Sequence, residues 1–190
     1  IGQLPNNLHP PGLAGISGLP YDALMRHLIL MRHAKTENQS PGDDHARQLE
    51  QRGIDDCALI VRYLRDNNIV PDLALASDAA RTRETTAHLQ PALARGAKTV
   101  FSKALYLAGA EQILHEIWAL PDAVNAVLVI GHNPGLHELA NLLAKPGSSS
   151  LQRDLIGQFP TAAMAILSFD ADRWSDVSSG GGELEHFVTA

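Results

Sequence analysis

The chain alternates short, wholly apolar runs with longer stretches in which apolar residues recur every three or four positions. Leu28-Ile29-Leu30-Met31, Leu73-Ala74-Leu75-Ala76 and Ala126-Val127-Leu128-Val129-Ile130 are continuous apolar runs. Runs without polar alternation predict strands buried on both faces. Between the first two, Ile54, Cys57, Ile60, Val61 and Leu64 fall at helical spacing within 53–68, which Asn67-Asn68 and Pro71 stop. Further helices are predicted over 78–93, with Ser77 or Asp78 as cap, over 110–120, closed by Pro121, and from Pro134 to about 144, with Asn133 as a candidate cap. Residues 99–101 read as a short strand, 162–169 and 184–188 as two final ones, and 34–46 and 170–182 as loops.

Strand and helix alternate through most of the chain. That order predicts an α/β fold, a three-layer α/β/α sandwich with a mostly parallel central sheet, to which the last two strands are an antiparallel addition. The first 24 residues differ: four prolines and four glycines accompany one charged side chain, Asp22. They are expected to be a Pro/Gly-rich extension without the pattern of a secretory signal, with a single domain over 25–190.

Composition narrows the function. With 45% hydrophobic residues the chain can fill a core. A formal net charge of -6 disfavours nucleic acid or an anionic membrane as partner, since both need a positive surface. Cys57 is the lone cysteine, so an intrachain disulfide or a cysteine zinc site is excluded; it reads as a small buried filler, compatible with a reducing cytoplasm, the expected location. No apolar run approaches the ~18–20 residues of a membrane span.

Ligands of open parallel sheets bind beyond the carboxyl ends of the strands. Arg32-His33 follows the first apolar run, Ser77-Asp78-Ala79-Ala80-Arg81 the second, and Gly131-His132-Asn133-Pro134-Gly135 the central one. Two histidines and two arginines thus converge on one edge. Arginine forks donate paired hydrogen bonds to phosphoryl oxygens. A neutral imidazole is a competent nucleophile toward phosphorus, and clustered cations stabilise the charge that phosphoryl transfer spreads over oxygen. The arginines are also expected to hold the histidine neutral by disfavouring a third positive charge.

These motifs resemble those of the histidine phosphatase superfamily. Leu30-Met31-Arg32-His33-Ala34-Lys35 is similar to its Arg-His-Gly motif, with alanine for glycine; Ser77 to Thr85 is similar to its second motif; Val129 to Pro134 is similar to the segment holding its second histidine. The Arg-His-Ala-Lys variant and Phe159-Pro160-Thr161-Ala162-Ala163 resemble the SixA-type phosphohistidine phosphatase branch. The resemblance implies a phosphoglycerate mutase-like fold, transient phosphorylation of His33, and phosphoryl oxygens held by Arg32, Arg81 and His132, with no metal or other cofactor. Arg47 is a candidate substrate contact, its alternative being a pair with Asp43 or Asp44. Ser77 reads as a turn and cap residue, Glu84 as a surface or helix-face pair, and Tyr106 or Lys35 as pocket linings or half-exposed loop residues.

Many family members carry a glutamate proton donor around Ala104-Leu105-Tyr106-Leu107, where this chain has no acid before Glu111. An alkoxide leaving group needs that proton; the weaker P–N bond of phosphohistidine needs less help. The expected activity is a metal-independent phosphatase acting on phosphohistidine of a partner protein. Hydrolysis of small phosphorylated metabolites or phosphoprotein esters is an alternative, and a catalytically weak phosphate-binding module is another.

Overall fold

The computed structural model describes residues 25–37 and 43–190. The expected extension over 1–24, and Asn38 and Pro41-Gly42 of the first loop, lie outside the described residues. The elements are β1 (Met25–Arg32), α1 (Gln51–Asp66), β2 (Leu73–Ser77), α2 (Ala80–Leu89), β3 (Lys98–Ser102), α3 (Ala110–Trp118), β4 (Ala126–Gly131), α4 (Gly135–Leu143), α5 (Ser150–Gly157), β5 (Met164–Asp170) and β6 (Glu183–Val188). The strands form one sheet in the order β3-β2-β4-β1-β5-β6. The first four positions in that order are mutually parallel; β5 runs antiparallel to β1, and β6 antiparallel to β5.

Successive residues of a strand face opposite sides, so each apolar run feeds two cores. Leu28 and Leu30 of β1, Leu73 and Leu75 of β2, and Val127 and Val129 of β4 pack with α3, α4 and Leu155 of α5. Ile29, Met31, Ala76, Leu128 and Ile130 pack on the other side with α1 and with Leu89 of α2. Cys57 is part of this second core, where burial pushes its thiol up to about 12. The helices cover both faces, which is the physical reason the central strands carry no polar alternation.

Three details depart from expectation. Helix α2 begins at Ala80 with no side-chain cap, and a 3-10 turn at Gln90–Ala92 replaces its predicted last turn. Pro91 lacks the N–H that a continuing α-helix needs. Neither Ser77 nor Asp78 caps α2, and Asn133 does not cap α4, which starts after Pro134; both Ser77 and Asn133 are engaged elsewhere, as described below. Helix α5 has no counterpart in the sequence reading; Ser149 caps it by accepting from the Gln152 N–H at 3.1 Å. Among the described residues no helix is long and apolar enough to cross a membrane.

Candidate active site

The strand order decides where the polar strand ends meet. β2, β4 and β1 are adjacent and parallel, with Ala76 opposite Ile130 and Arg32 opposite Gly131. Arg81, His132, Arg32 and His33 therefore leave the sheet at the same edge. Because β5 is antiparallel, its entry segment arrives there too. The Phe159 carbonyl accepts from Arg32 Nη1 at 3.2 Å and from Asn133 Nδ2 at 2.8 Å. The Phe-Pro-Thr-Ala-Ala segment thus ties the first and third motif loops together, and tying them is the work of Asn133.

His33 is 6% exposed. Its Nδ1 lies 2.8 Å from the Ala34 carbonyl. A carbonyl only accepts, so Nδ1 carries the proton, and in the neutral ring Nε2 keeps its lone pair. Burial lowers the His33 pKa to about 4; the Ala34 hydrogen bond opposes it, and the charges of Arg81, Arg32 and Arg47 each add a smaller lowering. The arginines contribute as expected, but desolvation is the larger cause. Thr85 on α2 fixes this loop: its hydroxyl accepts from the Ala34 N–H at 3.1 Å and donates to the Arg81 carbonyl at 2.7 Å.

The rings of His132 and His33 stand 5.3 Å apart. Arg81 Nη2 lies 3.2 Å from His132 Nδ1, and Ser77 Oγ lies 2.9 Å from Nε2. Guanidinium donates and never accepts, so Nδ1 is the acceptor and Nε2–H points at Ser77. Ser77 is thus a positioning residue for His132 rather than a helix cap. Burial, then the charges of Arg81 and His33, lower His132 to about 3. A histidine in the turn after a buried strand desolvates readily, and here both rings are neutral at pH 7.

Arg81 is 1% exposed. Beyond His132, its Nη1 donates to the Asp44 carbonyl at 2.7 Å and its Nη2 to Asp44 Oδ2 at 3.1 Å. The buried side-chain polar atoms without a partner among the described residues are Nε of Arg26, Arg32 and Arg81, and Asn133 Oδ1. Three of the four belong to this one edge. Buried donors without acceptors are costly, and two guanidinium N–H groups left so beside a histidine suit an anion.

Arg47 takes the pairing reading: Nε donates to Asp44 Oδ1 at 2.9 Å and Nη1 to Thr36 Oγ1 at 3.0 Å. Tyr106 does line the site. Its ring meets His132 edge-on at 5.5 Å, and its hydroxyl donates to Asp44 Oδ2 at 2.9 Å. Gly135 supports this approach, since a Cβ there would overlap the Ala108 carbonyl oxygen. Glu84 accepts from the Leu49 N–H at 2.9 Å and so anchors the chain that follows the Asp44–Ala46 turn.

Sequence reasoning missed Asp44 as a hub and His45 at the rim, where His45 pairs with Asp78 at 2.9 Å and meets the Tyr106 ring at 4.8 Å. No periodicity marks a one-turn element, so the residues pointed to Asp44 only as a candidate partner of Arg47. Among the described residues no group of three or more His, Cys, Asp or Glu is placed to hold a metal.

A family model of the histidine phosphatase superfamily (branch 1) matches residues 28–105. An uncharacterised protein of Mycobacterium tuberculosis is 35% identical over 159 residues, which are 83% of this chain and 98% of that protein. Among solved structures, SixA of Agrobacterium tumefaciens is 30% identical with a TM-score of 0.71, over 87% of this chain and 98% of that one. SixA of Nakamurella multipartitia is 29% identical with a TM-score of 0.76, over 87% and 96%. The likeness runs almost end to end along these relatives, so the chain belongs to the histidine phosphatase superfamily, in its SixA-type branch, and is a phosphatase.

Proposed function

We propose that this phosphatase removes a phosphoryl group from phosphohistidine on a partner protein, with His33 as the nucleophile. The observation that carries the reading is the His33 tautomer. With Nδ1–H held by Ala34, the remaining nitrogen, Nε2, has the lone pair that attacks phosphorus. The lowered pKa keeps that lone pair available at pH 7.

Arg32 and Arg81 supply the positive charge, so the proposed reaction draws on no metal. Their unpartnered Nε–H groups donate hydrogen bonds to the phosphoryl oxygens. His132 takes part in the same binding by taking up a solvent proton at Nδ1 as Arg81 turns its Nη2 toward the phosphoryl group. The dianion compensates the imidazolium so formed. Arg47 reaches the substrate side only through Asp44, and its contribution is to the field at His33. Water then hydrolyses phospho-His33 and restores the neutral ring.

The test is an acid-quench trap of the phosphoenzyme with labelled phosphohistidine protein, an aryl phosphate and a sugar phosphate as donors. Label is expected on His33 from the phosphohistidine donor, and His33→Ala, correctly folded, is expected to lose more than about a thousandfold in turnover, as for removal of a covalent nucleophile. Turnover retained by His33→Ala overturns the nucleophile. Rapid turnover of the esters, with none of phosphohistidine, overturns the substrate.

A further inference from the structure

Asp44 occupies a peculiar place for an acid in a phosphatase. It opens the 3-10 turn at Asp44–Ala46, and three donors converge on its carboxylate: Arg47 Nε on Oδ1, and Arg81 Nη2 and the Tyr106 hydroxyl on Oδ2. Its side chain is 37% exposed, whereas that of Arg81 is 2% exposed. The carboxylate therefore lies between the buried guanidinium and solvent.

A carboxylate offers about four acceptor positions. Three are taken, and the exposed flank of the group leaves room for one more donor. Asp44 is also the one carboxylate, among the described residues, that pairs with either arginine of the histidine cluster. Asp78 is committed to His45, and Glu84 to the Leu49 N–H. Burial raises the Asp44 pKa, but the Tyr106 hydrogen bond and the Arg81 and Arg47 charges outweigh it, so the group stays ionised.

A fixed negative charge on Arg81 is a handicap for binding phosphate dianions. It weakens the pull of the arginine and repels the incoming charge. The handicap is offset only when the group beyond the phosphorus brings a positive charge or an N–H of its own.

We propose that Asp44 is the specificity determinant for the leaving group: it accepts the N–H of a cationic, nitrogen-linked leaving group, such as the far ring nitrogen of a phosphorylated imidazole. This rests on the His33 mechanism above and extends it to the other side of the phosphorus. The His33 Nε2 lone pair forms the new P–N bond. The substrate P–N bond breaks, and its electron pair stays on the departing ring nitrogen. The substrate ring leaves as neutral imidazole, still protonated at its far nitrogen, which Asp44 holds. The His33 ring takes up the positive charge and keeps its own proton on Nδ1. No proton changes hands in this P–N exchange, so the step draws on no separate acid.

The experiment compares phosphoimidazole with p-nitrophenyl phosphate, an aryl ester that has no N–H, in the wild type, Asp44→Asn and Asp44→Glu. Asp44→Asn is expected to lower the ratio of kcat/KM for phosphoimidazole over that for the ester at least tenfold. It is also expected to tighten inhibition by inorganic phosphate several-fold, because the repelling charge is gone. Asp44→Glu is expected to recover part of the ratio. Equal loss on both substrates overturns the proposal and makes Asp44 a support for Arg81. Equal gain on both overturns it in favour of a plain competing anion. In either case wild-type label on His33 leaves the mechanism standing, whereas absence of label with every donor is the failure of the mechanism itself.

Discussion

Two arginines six residues apart on β1, Arg26 and Arg32, stand at opposite ends of one strand and are used in opposite ways. Arg26 Nη1 donates to the carbonyls of Asp122 and Val124 and to Asn125 Oδ1, its Nη2 donates to the Asp172 carbonyl, and its guanidinium lies 5.9 Å over Trp174. Among the described residues the Arg32 guanidinium makes one hydrogen bond, to the Phe159 carbonyl, and has Arg81 as a neighbour that lowers its pKa after burial has done so. The amino end of the sheet gives both terminal nitrogens of its cation acceptors, three carbonyls and one side-chain amide oxygen, and leaves Nε without a partner among the described residues. The carboxyl end sets two cations close together with donors to spare. The same side chain in the same strand is a clamp at one end and a phosphoryl holder, as we propose, at the other. What differs is the acceptors that the fold brings to it.

This contrast can be broken from either side. The largest effect is expected at the carboxyl end. Arg81→Lys should lower kcat/KM about a hundredfold, within the ~10²–10³ seen when one preorganised donor is removed, because an ammonium cannot serve His132, Asp44 and a phosphoryl oxygen together. Steady-state kinetics on the folded variant check it, and a near-normal rate would show that Arg81 lies outside the reaction.

At the amino end the sign reverses. Arg26→Met should leave the rate within about twofold but destabilise the fold, since buried carbonyls lose their donor at about 1–3 kcal/mol. For a chain of this size that is a drop of several degrees, at about 2–4 °C per kcal/mol. Unchanged melting together with a lost rate would erase the distinction between the two ends.

The smallest effect is a pH dependence to which the carboxyl end contributes through two histidines. His33 and His132 have folded pKa values lowered from 6.5 to about 4 and about 3. Below 6.5 the unfolded chain binds protons that these buried rings refuse, so the unfolded state gains and stability falls as pH falls toward 4. Melting temperature should decline between pH 7 and pH 5, and less steeply in a His33→Gln, His132→Gln double variant. A decline identical in both would place the titration elsewhere.

The buried strands and the edge at which they end were legible in the sequence because local patterns carry them. Continuous apolar runs give strands covered on both faces, and whatever follows them lies at one rim. The placement of Arg32, His33, Arg81 and His132 at that edge was legible for the same reason. The caps were misread. Ser77 and Asn133 have the side chains of helix caps, and preference alone assigns them that task, but His132 Nε2 and the Phe159 carbonyl compete for them more strongly. Helix α5 was not read, since the face it buries is Gln152 and Leu155, a single apolar residue that sets no period.

The sequence by itself determined the layers, the one-edge clustering of two histidines and two arginines, and the family to which they point. Only the tertiary structure decided which nitrogen of each histidine bears the proton, that Arg47 is tied to Asp44, and that Asp44, His45 and Tyr106 close around Arg81. The physical reason is reach. Hydrophobic periodicity acts between near neighbours and can be read along the chain, whereas Arg81 and Asp44 are 37 positions apart and Arg81 and His132 are 51. Their bonds exist because the sheet places β2, β4 and β1 side by side.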